Sequence, residues 1–335
     1  MSLETVWFCV VALFWLGYLF LEGFDFGVGM LLPILGRDDT ERRVLVNTIG
    51  PVWDGNEVWL IVAGGAMFAA FPGWYASLFS GAYLPLLLVL LALIGRGVAF
   101  EYRGKVDSVR WRRTWDRVIV IGSWIPPLGV GLVLATTVLG LPLDAAGNRV
   151  GGPFEAVRWE TLLGAVAVAG FSFVHGAAFL ALKTEGELST RAKGIAARAL
   201  PVALLPLFAL LVLVQWREGV GWTLVPLFAA VVAAVTAWTR LARGRDGQAF
   251  AALGVVIAGA AITLFGALYP DVLPSTVDAA NSLTVDGVAS SPYTLKVMTW
   301  VALFGAPAVL IYQGWTYWVF RKRIGTHHIP PVHAP

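Results

Sequence analysis

Two short motifs place carboxylates where hydrocarbon is expected. LEGFDFGVG sets Glu22 and Asp25 three residues apart, and PVWDGNEVW repeats that spacing with Asp54 and Glu57. Residues three apart share a helix face, so each motif offers two acids side by side. Closely spaced carboxylates can share protons, because ionising one opposes ionising the other. Arg96 and Glu101 follow in IGRGVAFEYR, and His175 lies in FVHGAAFLALKTEG. A charged group at bilayer depth is costly unless it pairs, is neutralised or reaches water. The set therefore admits two readings. One is ion pairing that holds helices together, with Arg96 neutralising an acid from another span. The other is a water-connected path for protons or a ligand. Glu101 reads as interfacial, and Asp54 and Glu57 start their block, where the positive end of a helix favours anions. An imidazole such as His175 can ligate haem iron, but no second ligand accompanies it at a suitable spacing, so a hydrogen-bonded interior histidine is expected.

These residues need elements that carry them into a membrane. Of 335 residues, 58% are hydrophobic and 13% charged. A water-soluble exterior is hard to build from that composition. Apolar blocks fall at 6–32, 51–71, 77–101, 118–141, 159–182, 199–216, 221–239, 249–269 and 297–320, each near the ~20 residues that span hydrocarbon as a helix. Runs such as YLPLLLVLLALIG do not alternate, which excludes a transmembrane barrel. The expectation is an all-α polytopic membrane protein with nine transmembrane helices. Residues 38–50 read as a short interfacial segment. Pro51 suits a helix start, and Pro85 and Pro226 mark blocks that are expected to bend. Gly23, Gly27 and Gly29 around Asp25, and Gly64 and Gly65 after the second motif, predict close helix approach.

Basic residues give a direction. With an external amino terminus, the internal segments 33–50, 102–117, 183–198, 240–248 and 321–335 hold 19 of the 24 Lys and Arg, which the positive-inside bias favours. Residues 142–158 and 270–292 are then the long external loops. The net charge of +3 has this topological origin and gives no nucleic-acid signal. Cys9 is the sole cysteine, so neither an internal disulfide nor a cysteine metal cluster is available. Without a basic leader or small-residue cleavage site, the first block reads as a retained span. The tail RKRIGTHHIPPVHAP holds three of four histidines and reads as a flexible cytoplasmic end with no metal site. Trp74, Trp111, Trp115, Trp216 and Trp222 fall at turns, as interfacial indoles do.

In their order and spacing, GFDFGVGMLLP at 23–33, PVWDGNEVWL at 51–60, AMFAAFPGWYA at 66–76, IGRGVAFEYR at 94–103 and FVHGAAFLALKTEG at 173–186 resemble subunit II of the cytochrome bd-type quinol oxidases. The resemblance runs over nearly the whole chain. It implies two four-helix bundles and a peripheral ninth helix, dividing the chain at 1–141, 142–270 and 271–335. It also implies a bacterial cytoplasmic membrane, and a heterodimer with subunit I that oxidises quinol at the outer face and reduces dioxygen to water with cytoplasmic protons. In that family subunit I binds haems b558, b595 and d and carries the quinol-oxidising loop. This chain is then expected to hold no cofactor firmly and to catalyse nothing alone. A structural quinone, lipid and a small accessory membrane subunit are further partners the resemblance allows.

Asp25 and Asp54 match the family's acids and are expected in proton transfer or its supporting network. Trp53 implies a packing or quinone-side contact. Glu57 occupies a position where some members carry Gln, so no mandatory proton role follows for it. Blocks one and five form a weak internal repeat in which His175 takes the polar position. A purely structural subunit and a secondary transporter working through a repeat are the alternative functions.

Overall fold

The computed structural model describes residues 1–330. Twelve α-helices follow one another: α1 (Leu3–Leu35), α2 (Asp39–Ile49), α3 (Trp53–Ala70), α4 (Pro72–Gly81), α5 (Tyr83–Tyr102), α6 (Val109–Leu139), α7 (Trp159–Lys183), α8 (Gly186–Ala203), α9 (Leu205–Arg217), α10 (Leu224–Ala242), α11 (Asp246–Leu268) and α12 (Pro292–Val319). The chain is an all-α polytopic membrane protein. Eight helical stretches are long and apolar enough to cross a bilayer, counting α8 with α9 as one. The predicted second span, α3, falls outside that set because its 18 residues open with Trp-Asp-Gly-Asn-Glu, which lowers its hydropathy.

The helix ends follow local chemistry. Ser2 caps α1 by accepting the Thr5 N–H, and Asp38 caps α2 by accepting that of Glu41, satisfying donors that a helix start leaves open. The short α2 covers the segment expected to be interfacial. Pro85 and Pro226 do not bend their helices. Each stands in a first turn, where the missing N–H interrupts no intrahelical bond. The breaks fall instead at Ala82, between α4 and α5, and at Leu204, between α8 and α9. Pro51 precedes α3 by two residues rather than opening it.

Glycine sets how closely the central helices approach. A Cβ at Gly27 would stand 2.7 Å from Gly176 Cα, and one at Gly176 only 2.4 Å from Gly27 Cα. The backbones of α1 and α7 therefore touch. Gly131 and Gly164 join α6 to α7 in the same reciprocal way. The expected packing role of Gly23, Gly27 and Gly29 is seen: Gly29 leaves room for Ser123 of α6, and Gly23 faces Phe171 and His175 of α7. Gly64 and Gly65 differ from expectation. A Cβ at Gly65 would meet nothing within 4 Å, and one at Gly64 only the tip of Phe79, because that side of α3 is open.

The last helix is peripheral. Within α12 only Leu295 is buried, and polar hooks tie the helix on. Trp7 Nε1 donates to Leu295 O and Thr299 Oγ1 near one end, while Trp59 Nε1 donates to Gln313 Oε1 toward the other. The two long loops interlock. Leu141 exchanges backbone bonds with Pro274 and Thr276, beside a small antiparallel pair, β1 (Asp271–Leu273) and β2 (Leu283–Thr284).

The tail is not simply loose. Ile324 bridges Thr184, a 3-10 turn covers Thr326–His328, and Ile329 is buried. His333 lies outside the described residues. Glu185, His327 and His328 bring ligand-type atoms within 4.8 Å of one another at the surface. His328 Nδ1, however, accepts the Gly325 N–H. In a neutral ring this directs the proton to Nε2, so that imidazole is not poised to take a metal.

Candidate functional site

Where α1, α3 and α5 meet, charge is sealed inside the protein. Glu22, Asp25 and Arg96 are fully buried. Arg96 Nη1 donates to Glu22 Oε1 at 2.7 Å and to Glu57 Oε1 at 2.6 Å. One guanidinium thus bridges two helices from a third. Its Cζ lies 4.8 Å from the Phe26 ring centroid and 5.0 Å from that of Phe100, so aromatic faces receive the charge as well. Gly122 of α6 makes space, since a Cβ there would stand 2.8 Å from Arg96 Cβ.

Asp25 enters through an amide rather than through the arginine. Asn56 Nδ2 donates to Asp25 Oδ2 at 2.7 Å. Asn56 Oδ1 accepts from Gln313 Nε2 at 3.1 Å and from Tyr317 OH at 2.8 Å, both on α12. Several buried atoms have no hydrogen-bond partner among the described residues: Tyr18 OH, Glu22 Oε2, Asp25 Oδ1, Arg96 Nε and Nη2, and Ser123 Oγ. Buried polar atoms are normally satisfied. A cluster of open donors beside open carboxylate oxygens is the surrounding that internal water requires.

The structure gathers Glu22, Asp25, Glu57 and Arg96 and leaves the other expected residues apart. Asp54 is exposed, because the inward stripe of α3 runs through Asn56, Ala63, Met67 and Ala70 and Asp54 projects well away from it. Glu101 is exposed near the end of α5, as an interfacial residue would be. Trp53 packs on α5, with its ring centroid 5.1 Å from that of Phe100. His175 is buried but not hydrogen-bonded, contrary to expectation: both ring nitrogens lack a partner among the described residues. Phe20, Phe24, Phe171 and Phe250 surround it, and Phe250 stacks at 4.6 Å. That closed aromatic box leaves no room for a haem, so these residues do not fit one.

The site also contains residues not singled out from the sequence: Tyr18, Trp59, Ser123, Gln313 and Tyr317. Tyr18 stands one turn before Glu22 on the same face, and Gln313 is a lone amide in an otherwise apolar part of α12. Both are signals a sequence reading can use. A second, partly exposed network lies at the ends of α2, α5 and α6. Arg103 donates to Asp116 at 2.6 Å and to Asp39 at 2.8 Å, and Arg42 reaches Asp116 at 3.2 Å. Burial opposes the charge on Arg103, but Asp116 and Asp39 outweigh it and hold the guanidinium more firmly protonated than usual.

Comparison with known proteins agrees with the resemblance seen in the motifs. Residues 3–320 match the family described as cytochrome bd terminal oxidase subunit II. The chain is 42% identical over 328 residues to cytochrome bd ubiquinol oxidase subunit 2 of Bacillus subtilis (strain 168), covering 96% of this chain and 97% of that one. It is 35% identical over 361 residues to cytochrome bd-I ubiquinol oxidase subunit 2 of Escherichia coli (strain K12), covering 96% and 95% respectively. Its fold is similar to that in the structure of bd oxidase from Geobacillus thermodenitrificans, with a TM-score of 0.77 at 18% identity over 95% of this chain and 97% of that one. The chain belongs to the cytochrome bd terminal oxidase subunit II family.

Proposed function

We propose that the chain serves a membrane quinol oxidase as its second subunit, supporting subunit I and carrying part of the route by which protons reach the site of oxygen reduction. Catalysis belongs to the complex. The haems supply electron transfer and oxygen chemistry from subunit I, and this chain's residues hold and pass protons. The observation that carries the proton role is Asp25: fully buried, held at Oδ2 by Asn56, and open at Oδ1 beside the open atoms of the Glu22–Arg96–Glu57 cluster. A group of this kind can take a proton at one oxygen without giving up its anchor at the other. Arg96 stays charged and serves as the fixed counter-ion.

The same reading gives the membrane arrangement. We infer nine spans, with α3 crossing as the second. Of its polar opening turn, Asn56 is buried and Glu57 pairs with Arg96 of α5, while Asp54 stays exposed; the rest, from Val58 to Ala70, is apolar. The chain then divides into a four-helix bundle over 1–141, a second over 142–270, and an external loop, ninth helix and tail over 271–335. The concentration of basic residues in alternate connections supports an external amino terminus in the bacterial cytoplasmic membrane. That direction sets the acid cluster in the cytoplasmic half, on the side from which protons are drawn.

Replacing Asp25 with Asn in the assembled oxidase tests the proton role. Asn keeps an oxygen able to accept from Asn56 but carries no proton. Quinol-driven oxygen uptake is expected to fall by about a hundredfold or more, the range positioned proton-transfer groups contribute, with haem content and subunit I retained. Loss of haems or of subunit I instead would assign Asp25 to assembly, and unchanged uptake would remove it from the route.

A further inference from the structure

The orientation of one buried amide decides how Asp25 can hold a proton, and the peripheral helix sets that orientation. An Asn or Gln side chain has a donor end and an acceptor end of nearly equal size, so its direction must be argued from its partners. Here the chain of partners begins at a group with no choice. The indole of Trp59 only donates, and its Nε1 lies 2.9 Å from Gln313 Oε1. That fixes Gln313 with its oxygen toward Trp59 and its NH2 toward Asn56. Asn56 must then present Oδ1 to Gln313, and Tyr317 OH donates to the same oxygen at 2.8 Å. The NH2 of Asn56 is thereby left to Asp25 Oδ2 at 2.7 Å. Turning Asn56 over would set its NH2 against the Gln313 NH2, donor against donor.

Trp59 is itself held firmly. Its ring rests on Gly17 of α1, where a Cβ would stand 2.3 Å from Cε3, and Phe14 meets it edge-on at 6.2 Å. Sequence alone gives this little weight: Trp59 looks like an interfacial indole, and α12 looks like a lipid-facing helix. Yet α12, almost wholly unburied along its length, reaches inward at Gln313 and Tyr317.

We infer that Trp59, Gln313 and Tyr317 are positioning residues that lock Asn56 as a donor to Asp25 Oδ2, making Oδ1 the oxygen that takes and releases the proton. The inference rests on the proton-carrying reading of Asp25 and deepens it. Glu22 of α1, Glu57 of α3 and Arg96 of α5 also act on Asp25 and are the same in every variant below; against that fixed background, a donor at Oδ2 stabilises the carboxylate and so favours release. A reversed Asn56 would offer only a carbonyl oxygen to Asp25, which can bind nothing but a protonated carboxyl, and the acid would keep its proton.

The assembled oxidase in lipid discs allows a direct test by infrared spectroscopy across a pH series. The carbonyl band of protonated Asp25 is identified by its loss in Asp25→Asn. In a Gln313→Leu/Tyr317→Phe double variant the band is expected to persist to a pH higher by about one to two units, the worth of one charge-assisted hydrogen bond. Trp59→Phe, which frees Gln313 but leaves α12 intact, is expected to move the band in the same direction by less. Should the double variant fail to assemble, Trp59→Phe carries the test alone. A band that titrates as in the parent protein, or an Asp25 already protonated throughout the series in the parent, overturns the inference. The proton-carrying reading fails separately, through undiminished oxygen uptake in Asp25→Asn, whatever the band does.

Discussion

The acid cluster on α1 and the histidine on α7 are both sealed from solvent, on helices whose backbones touch at Gly27 and Gly176, and their surroundings are opposite. Glu22, Asp25 and Glu57 are wired by Arg96 and Asn56 to three other helices. His175 has four phenylalanines around it and no hydrogen-bond partner among the described residues. The contrast shows that burial of an ionisable residue does not by itself mark a functional place. Carboxylates and a guanidinium must compensate one another to remain in a low-dielectric interior, whereas imidazole can be buried as a neutral ring. The wired side has the open oxygens and donors that proton movement needs, and the aromatic side has filled space.

Removing the arginine is the most severe way to break that contrast. Arg96→Leu leaves Glu22 and Glu57 facing each other without a counter-charge, and such an orphaned buried partner typically costs about 3–5 kcal/mol. The expected result is loss of this subunit from the detergent-extracted complex. Arg96→Lys is expected to recover it only in part, because an ammonium on a flexible stem does not reproduce the planar bridge. Equal recovery of both variants at wild-type levels would mean the cluster is not the keystone of α1, α3 and α5. The corresponding change on the other side should do little. His175→Leu removes two unsatisfied nitrogens from an apolar box, relieving a penalty of ~1–3 kcal/mol while losing some ring packing. Thermal stability should stay within about 1 kcal/mol of the parent, with oxygen uptake unchanged. A drop in uptake with haems retained would put His175 on the same functional footing as Asp25.

How much of this was legible in the sequence follows from the same contrast. Charges inside apolar blocks stand out, so Glu22, Asp25, Glu57 and Arg96 were visible as a group, and the glycines beside Asp25 announced the close approach of another helix without saying which. Asp54 was misplaced for a definite reason. In a soluble helix the apolar stripe reveals which face is inward, but α3 is apolar on both faces beyond its first turn, so the sequence gives no phase. Three residues of spacing paired Asp54 with Glu57. The true inward stripe runs through Asn56, between them. The role of α12 was nearly hidden likewise: in a helix that is almost all surface, the lone amide Gln313 is the one polar signal, and nothing marks Tyr317 as turned inward. Proline misled in a similar way: Pro85 and Pro226 were expected to bend their blocks, but each stands in the first turn of its helix, where its missing N–H interrupts nothing.

The smallest expected effect lies outside the membrane and asks whether an unpaired acid there behaves like those within. Asp271 opens β1 in the interlocked loops. Burial raises its carboxyl above the usual range, and the nearby Glu218 adds to the rise. A carboxyl whose folded value exceeds its unfolded value contributes stability that is fully present in acid, below the unfolded value, and is lost as pH climbs through the folded one. At neutral pH the ionised group is therefore a mild liability. Asp271→Asn should raise the melting temperature slightly at pH 7, and the advantage should shrink as the parent protein takes up its proton on acidification. Melting curves of the purified complex at a series of pH values check the sign. A variant advantage that grows in acid would mean that Asp271 is held by a partner after all, as the acids on α1 and α3 are held by Arg96 and Asn56.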